Sequence, residues 1–248
     1  MGLFESIFSS NKLKRPVDLS LIGVDMHSHL IPGIDDGAET IEQSIELIKL
    51  LFNLGYKKLI TTPHIFSEYF KNTPEIIRHG LDKLQTALTQ AQIPVKIEAA
   101  AEYMFDDWFQ KNCLTTELLT FGKKYLLIEC SAFVPPNNFF QVLWDLKLKG
   151  YNPILAHPER YGYWHINLEH YVSLKDRDIL FQINLPSLSG YYSPEVRKIT
   201  EQLIDNNMVE FVGTDIHNLI YYQQIDKSRF SKYLEKLISS GKLLNRTL

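Results

Sequence analysis

Short apolar runs alternate with longer amphipathic ones along the chain. The runs LIGVD (21–25), KLITT (58–62), VKIEAA (95–100), YLLIEC (125–130), NPILA (152–156), ILFQIN (179–184) and VEFVGT (209–214) are rich in β-branched residues and mostly apolar on both faces. That pattern predicts strands of a parallel sheet covered on both sides. Between them the apolar spacing changes to three and four. In ETIEQSIELIKLLFNLG (39–55), Ile41, Ile45, Ile48 and Phe52 recur at helical spacing, and Gly55 follows as a stop. In NTPEIIRHGLDKLQTALTQ (72–90), Thr73 is placed to cap and Pro74 takes the first helical position, with Ile77, Leu81, Leu84 and Leu88 as the buried stripe. NFFQVLWDLKLKG (138–150) runs to Gly150. YSPEVRKITEQLIDNN (192–207) repeats the Ser-Pro start at Ser193 and Pro194, and KSRFSKYLEKLISSG (227–241) stops at Gly241. Alternating β-then-α units in a chain of 248 residues predict one large domain, a closed or nearly closed barrel rather than an open sheet.

Composition narrows the classes. Apolar content of 45% is that of a globular protein. A net charge of −3 gives no basic excess for nucleic acid, and no Lys/Arg block suits an anionic membrane surface. No stretch approaches the length of apolar residues that spans a membrane. Cys113 and Cys130 are too few for a disulfide framework; both are expected as buried small residues in a reducing, cytoplasmic compartment. The start, MGLFESIFSSNKLKRP, lacks the basic and apolar regions of a secretory signal. Met1-Gly2 with Ser6 fits the loose myristoylation pattern. Residues 1–20 read as an N-terminal extension and 21–248 as the catalytic domain.

The polar residues at the strand ends change the picture most. His27 and His29 follow the first strand, His64 the second and Glu102 the third; Glu129 ends the fourth, His157 follows the fifth, and Asp215 and His217 follow the seventh. These are the C-terminal ends, where barrel active sites are built. In extended chain, residues i and i+2 point to one side, so His27/His29 and Asp215/His217 can each aim two donors into one mouth. Imidazole with carboxylate suits Mn, Fe or Zn, and the lack of cysteine among these positions excludes a thiolate zinc site. A single histidine at a strand end is ordinarily a hydrogen-bonded residue; a set gathered on one rim is not explained that way. His79, His165 and His170 fall in helical or loop pattern and are read as structural.

The stretches DMHSHLIPGIDDGA, TTPH, AAAEY, LIECS, AHPER and GTDIHN, in this order, resemble the PHP (polymerase and histidinol phosphatase) superfamily. HSHLIPGIDDGA with AHPERY looks like one branch of it, the bacterial manganese-dependent protein tyrosine phosphatases of capsule and exopolysaccharide operons (the CpsB/YwqE type). The resemblance runs from about residue 22 to 220. It implies a distorted (β/α)7 TIM-like barrel, the PHP fold, around a trinuclear centre of three divalent ions, Mn by expectation, with Fe, Zn or Mg acceptable to the same donors. By position, His27, His29, Glu102 and Asp215 would hold one ion. Glu102 would bridge to a second, completed by Glu129 and His157, and Asp36, His64 and His217 would lie near the third. Asp35 is read as a turn residue or a partner of a ligand. Arg160 and Asp36 are the expected catalytic residues, Arg160 because its fork suits a phosphate oxygen. Where many relatives carry a further arginine beyond DxH, this chain has Tyr221 and Tyr222.

The implied activity is metal-dependent hydrolysis of phosphotyrosine, with metal-bound hydroxide as nucleophile, on the tyrosine-rich C-terminal tail of a bacterial tyrosine autokinase. The Cys-x5-Arg loop of a thiol phosphatase is absent. The alternative is a small-molecule phosphatase of the histidinol-phosphatase type. An amidohydrolase-type C–N hydrolase would want a Lys at strand four and a His at strand six, where Glu129 and INLPSLS stand. A non-catalytic descendant is disfavoured by the complete donor set. Aromatic residues in IFSEYF, YMFDDWF and RYGYW follow the ligands and could stack on a substrate ring or cap the core.

Overall fold

The strand signals resolve into short segments in a computed structural model that describes residues 12–248. They are β1 (Val24–Asp25), β2 (Lys58–Thr61), β3 (His64–Ile65), β4 (Lys96–Ala99), β5 (Glu102–Met104), β6 (Tyr125–Glu129), β7 (Asn152–Ala156), β8 (Leu180–Asn184) and β9 (Phe211–Gly213). Predicted strands two and three are each broken near their ends, by Thr62-Pro63 and by Ala100-Ala101. Every strand pairing is parallel. A sheet β1-β2-β4 runs on into a sheet β3-β5-β6-β7-β8-β9, so the predicted strands stand in chain order around one curled wall. At the C-terminal rim the last strand meets the first: Asp215 N–H donates to His27 O (2.8 Å) and His29 N–H to Ile216 O (3.1 Å). This is the expected TIM-like barrel, and its distortion lies at the other end of the same seam.

There Asn245 takes the place of a strand. Its Nδ2 donates to Val24 O (3.0 Å) and Val212 O (2.8 Å), and its Oδ1 accepts from Val212 N (3.1 Å). The side chain is fully buried. Asn245→Ala would leave buried backbone groups unpaired at about 1–3 kcal/mol each. The expected loss is about 3 kcal/mol in urea unfolding, and an unchanged midpoint would remove the seam's dependence on this residue.

The helices are α1 (Ile41–Asn53), α2 (Pro74–Gln90), α3 (Asp107–Asn112), α4 (Phe139–Leu148), α5 (Glu169–Lys175), α6 (Leu185–Ser189), α7 (Pro194–Asp205), α8 (Leu219–Ser228) and α9 (Lys232–Ser239). Thr73 caps α2 by accepting from Ile76 N, with Pro74 first in the helix. Ser193 caps α7 in the same way at Val196 N. Three expectations need correction. Leu81 of α2 is only half-buried, so the buried stripe is Ile77, Leu84 and Leu88. The first strand does not begin at Leu21: Leu19–Leu21 form a 3-10 turn capped by Asp18, and Gly23 (φ +76°) turns the chain before β1. The face that α1 buries is Ser44, Leu47, Ile48 and Leu51, while Ile41, Ile45 and Phe52 are only half-buried. Helices α2 and α8 both contact α1.

Val24, Met26, Ile60, Ala100, Leu127, Ile154, Ala156 and Phe211 pack together inside the wall, with Leu244 and Leu248 against them. The larger cluster joins the outer face of the wall to the helices. Residues 12–17 run along the connection between α8 and α9, with Leu13 N–H donating to Phe230 O and Val17 N–H to Arg229 O. The Met1-Gly2 pattern lies outside the described residues.

Candidate metal centre

The mouth of the barrel is built by the strand ends. In β3 and β5 the register sets His64 beside Glu102, and Met104 opposite Glu129 carries the wall on to β6. His27 and His29 both face inward, because Ser28 between them pairs across the seam with Ile216. His157 and Asp215 stand just beyond β7 and β9 in the left-handed region, at φ 32° and φ 51°. That costs on the order of 1 kcal/mol for each non-glycine residue and turns both side chains into the mouth. Two glycines are required by close approach. A Cβ on Gly37 would lie 2.5 Å from His29 Cβ, and one on Gly213 would lie 2.6 Å from His27 Cβ.

All the residues expected as ligands converge here. His27, His29, Glu102 and Asp215 are buried and offer donor atoms lying within 4.8 Å of one another; so do His64, Glu102 and Glu129, and also His29, Asp36, His64 and His217. Glu102 is central. Its Oε2 is 3.1 Å from His27 Nε2, 3.5 Å from His29 Nε2 and 3.2 Å from His64 Nδ1, and its Oε1 is 3.0 Å from His157 Nε2. His64 lies between two groups: Nδ1 is 2.9 Å from Glu129 Oε1, and Nε2 is 3.4 Å from Asp36 Oδ1. Asp36 Oδ1 is also 3.3 Å from His217 Nε2, and His157 Nε2 is 3.9 Å from Glu129 Oε2.

The tautomers make this a site for cations. His27 Nδ1 faces the carbonyl oxygen of Gln182 (2.8 Å) and His29 Nδ1 faces the carboxylate of Asp35 (2.8 Å). Each Nδ1 must therefore carry the proton, which leaves a bare Nε2 turned to the site when the ring is neutral. These two Nε2 atoms lie 3.3 Å apart, with Asp215 Oδ1 at 3.3 and 3.4 Å. With Glu102 Oε2 these make four electron-pair donors around one point, which need a positive charge among them. A divalent ion meets that need with the borderline N/O donors it prefers, so these residues fit a metal.

Without an ion the charge is met by protons. Burial alone would lower the pKa of His27, but the charges of Glu102 and Asp215 outweigh it and hold it above the ordinary value. Burial opposes protonation of His29 and His64 as well, and Asp35 for the first and Glu129 for the second push them well up. Burial would raise Glu102 and Asp215; the facing imidazoles, His27 first in each case, hold both well below the carboxylate range. Asp35 and Asp36 are lowered in the same way, against burial, by His29 and by His217 with His64.

Arg160 reaches Asp215 Oδ2 with Nη1 (3.4 Å) and lies over the ring of Tyr192, 4.6 Å from its centroid. It therefore borders the candidate donors and stays partly open to solvent. Tyr221 stands against His217 with ring centroids 4.9 Å apart, and Tyr191 joins Tyr221 at 5.4 Å, so tyrosine rings border this side of the mouth. Of the aromatic residues near the rim, Tyr103, Phe109, Tyr161 and Trp164 are core, whereas Tyr69 and Trp108 are exposed. His165 stays structural, with its Nε2 on the backbone oxygen of Glu159 (2.8 Å). Both cysteines are free and buried, and burial pushes the Cys130 thiol well up, which removes it as a nucleophile.

Strand six, which carries no His, Asp or Glu, still serves the site. Gln182 and Asn184 are fully buried beneath His27 and Asp215. Buried amides demand partners, and these two find theirs in the site. Glu159, inside AHPER, is the other residue given no role in the sequence reading. Its Oε1 accepts from Asn184 N (2.8 Å) and Ser187 Oγ (2.7 Å), and burial pushes its carboxyl up.

Residues 23–236 match the family described as capsular polysaccharide synthesis, CpsB/CapC. The chain belongs to the CpsB/CapC family. Among its relatives, the tyrosine-protein phosphatase YwqE of Bacillus subtilis is 31% identical over 197 residues, which are 79% of this chain and 78% of that protein. The crystal structure described as that of YwqE from Bacillus subtilis and CpsB from Streptococcus pneumoniae, metal-dependent tyrosine phosphatases, superposes with a TM-score of 0.77 at 29% identity, covering 90% of this chain and 94% of the other. A histidinol phosphate phosphatase from Lactococcus lactis, solved with zinc, L-histidinol and phosphate, shares the fold at a TM-score of 0.52 and 13% identity, over 89% of this chain and 94% of that one. Among the described residues no helix of this family member is long and apolar enough to cross a membrane.

Proposed function

We propose that this CpsB/CapC protein is a metal-dependent protein tyrosine phosphatase, and that its substrate is the phosphorylated tail of a bacterial tyrosine kinase of capsule or exopolysaccharide synthesis. The observation that carries this reading is the convergence of imidazole and carboxylate donors from five other strand ends on Glu102. His27, His29, Glu102 and Asp215 would hold one divalent ion, Glu102, Glu129 and His157 with His64 nearby a second, and Asp36, His64 and His217 a third, with manganese the expected metal and a cytoplasmic location. When bound, such ions lower the pKa of water toward about 7 and neutralise phosphoryl oxygens. The carboxylates of Asp36, Glu102, Glu129 and Asp215 leave three divalent ions with about +2, a charge that a phosphomonoester dianion complements.

The chain's own residues supply the rest. Arg160 offers its remaining donors to a phosphoryl oxygen while Asp215 and Tyr192 hold the guanidinium in place. The half-exposed Asp36 sits at the open side, where a substrate oxygen enters. Arg160→Ala is expected to lower kcat/KM about 100-fold, the scale of one lost charge-stabilising donor. Steady-state rates at saturating metal check this, and a change under about threefold would take Arg160 out of the site.

Phosphate release from a phosphotyrosyl peptide, measured after chelation and re-addition of each metal, tests the activity. Equal rates in chelator and in metal would overturn it. Histidinol phosphate as competitor separates the two substrate classes: better turnover of the small ester than of the peptide would favour the histidinol-phosphatase type.

A further inference from the structure

Behind the donors, four side chains from three neighbouring strands are joined by hydrogen bonds that can run in one direction only. Asn184 Nδ2 donates to Asp215 Oδ2 (2.7 Å), Gln182 Nε2 donates to Asn184 Oδ1 (2.8 Å), and His27 Nδ1 lies 2.8 Å from Gln182 Oε1. Tyr192 closes the outer end, its hydroxyl 3.0 Å from Asn184 Nδ2 and 3.3 Å from Asp215 Oδ2. We propose that Gln182 and Asn184 are the positioning residues of the metal cluster: their carboxamides form a relay that locks His27 with its proton on Nδ1 and its Nε2 toward the ion, and turns Asp215 Oδ1 to the same ion. The proposal rests on the reading of the cluster as a metal centre.

The direction follows from chemistry. The Asp215 carboxylate only accepts, so Asn184 must present its NH2 to it. The Asn184 oxygen then faces Gln182, which must present its own NH2, and the Gln182 oxygen then faces His27. His27 can answer only by donating from Nδ1. Reversing any one amide sets donor against donor or acceptor against acceptor in a buried place. A His27 ring free to carry its proton on Nε2 would turn a hydrogen toward the ion. The relay also couples the two ends: the oxygen of Asp215 held by Asn184 is Oδ2, which leaves Oδ1 near His27 Nε2 and His29 Nε2.

The fold makes room for the relay. Gln182 and Asn184 alternate with Ile183 in β8 and so share the inner face. Gly213, beside them in β9, has no Cβ; one built there would fall 2.9 Å from Gln182 Nε2. The backbone of Asn184 is itself fixed by the buried Glu159, whose Oε1 accepts its N–H at 2.8 Å. A metal-ligating histidine whose other nitrogen is fixed in this way loses about 10–100-fold in metal affinity when the partner is removed.

Gln182→Met keeps the length of the side chain and removes the relay. In a chelator-buffered Mn2+ series it should bind about 10–100-fold more weakly than the wild type, and kcat should recover at saturating Mn2+. In protein loaded with Zn2+ and labelled with 15N-histidine, the slowly exchanging Nδ1–H of His27 should be present in the wild type and exposed to exchange in Gln182→Met. A packing role alone would move neither reading. Folded Gln182→Met with wild-type Mn2+ affinity, or with the protected Nδ1–H intact, overturns the relay. Wild-type chain that takes up neither Mn2+ nor Zn2+ overturns the metal reading, and the relay with it. If Gln182→Met does not fold, Gln182→Glu fills the same space, accepts from His27 and cannot donate to Asn184. Weaker Mn2+ binding by that variant supports the relay, and wild-type affinity in it overturns the proposal.

Discussion

Glu102→Gln should lower phosphate release from a phosphotyrosyl peptide by about 10³-fold or more and should reduce the metal content of the purified protein. Glutamine keeps the shape of the residue, so the change isolates charge and lone pairs. Glu102 is fully buried and faces His27, His29, His64 and His157 with its two oxygens. The variant replaces one oxygen by an NH2 group that points protons at imidazole lone pairs, and removes one of the negative charges that hold cations there. Metal ions contribute several kcal/mol to stabilising a phosphoryl transition state; a loss of about 4 kcal/mol is about 10³ in rate. Atomic spectroscopy of the metal content, beside the rate, separates lost binding from lost chemistry. A Glu102→Gln variant with wild-type rate and full metal content would show that the residue bridges nothing.

The strand order and the gathering of candidate donors at one mouth are legible in the sequence because both follow from period and position. Apolar runs of five or six residues alternating with helical patterns give the parallel wall, and the strands' C-terminal ends then name His27, His29, His64, Glu102, Glu129, His157 and Asp215 without any knowledge of the helices. What escapes is carried by residues with no signature of their own. Asn245 joins Val24 to Val212 from a place far along the chain from β1, and no local pattern distinguishes it from any surface asparagine. Leu21 and Ile22 look like strand, yet the Asp18 cap and the positive φ of Gly23 place Leu21 in a 3-10 turn and Ile22 at its end. The stripe Ile41, Ile45, Phe52 follows helical period, but tertiary neighbours decide which flank of α1 lies deepest. Gln182 and Asn184 do not stand out as site residues because amides bind few metals directly; their meaning appears only when His27 and Asp215 are seen at either end of them.

Removing the metals should make the pH dependence of stability change sign in the neutral range. In the metal-free protein His27, His29 and His64 are held above the ordinary value of 6.5. A group with a raised folded pKa gives its full stabilisation below about 6.5 and loses it as pH rises through the raised value. Asp35, Asp36, Glu102 and Asp215 are held below their ordinary values of 3.8 and 4.5, so their contribution is present above those values and lost as pH falls toward the lowered ones. The chelated protein is therefore expected to be most stable between about pH 4.5 and 6.5 and to weaken toward about pH 8. Ligation asks the opposite of the same imidazoles, which must give up the proton on the nitrogen facing the ion, so metal affinity rises with pH. At metal concentrations about 1,000 times Kd the loaded protein gains about 4 kcal/mol, which for a chain of this size is a rise in Tm of about 8–16 °C. Melting curves from about pH 5.5 to 8.5, with manganese and with chelator, should show the two Tm values drawing together at the acid end and separating toward the alkaline end. A gap that stays constant, or that narrows as pH rises, would mean that the imidazoles are not what the metal binds.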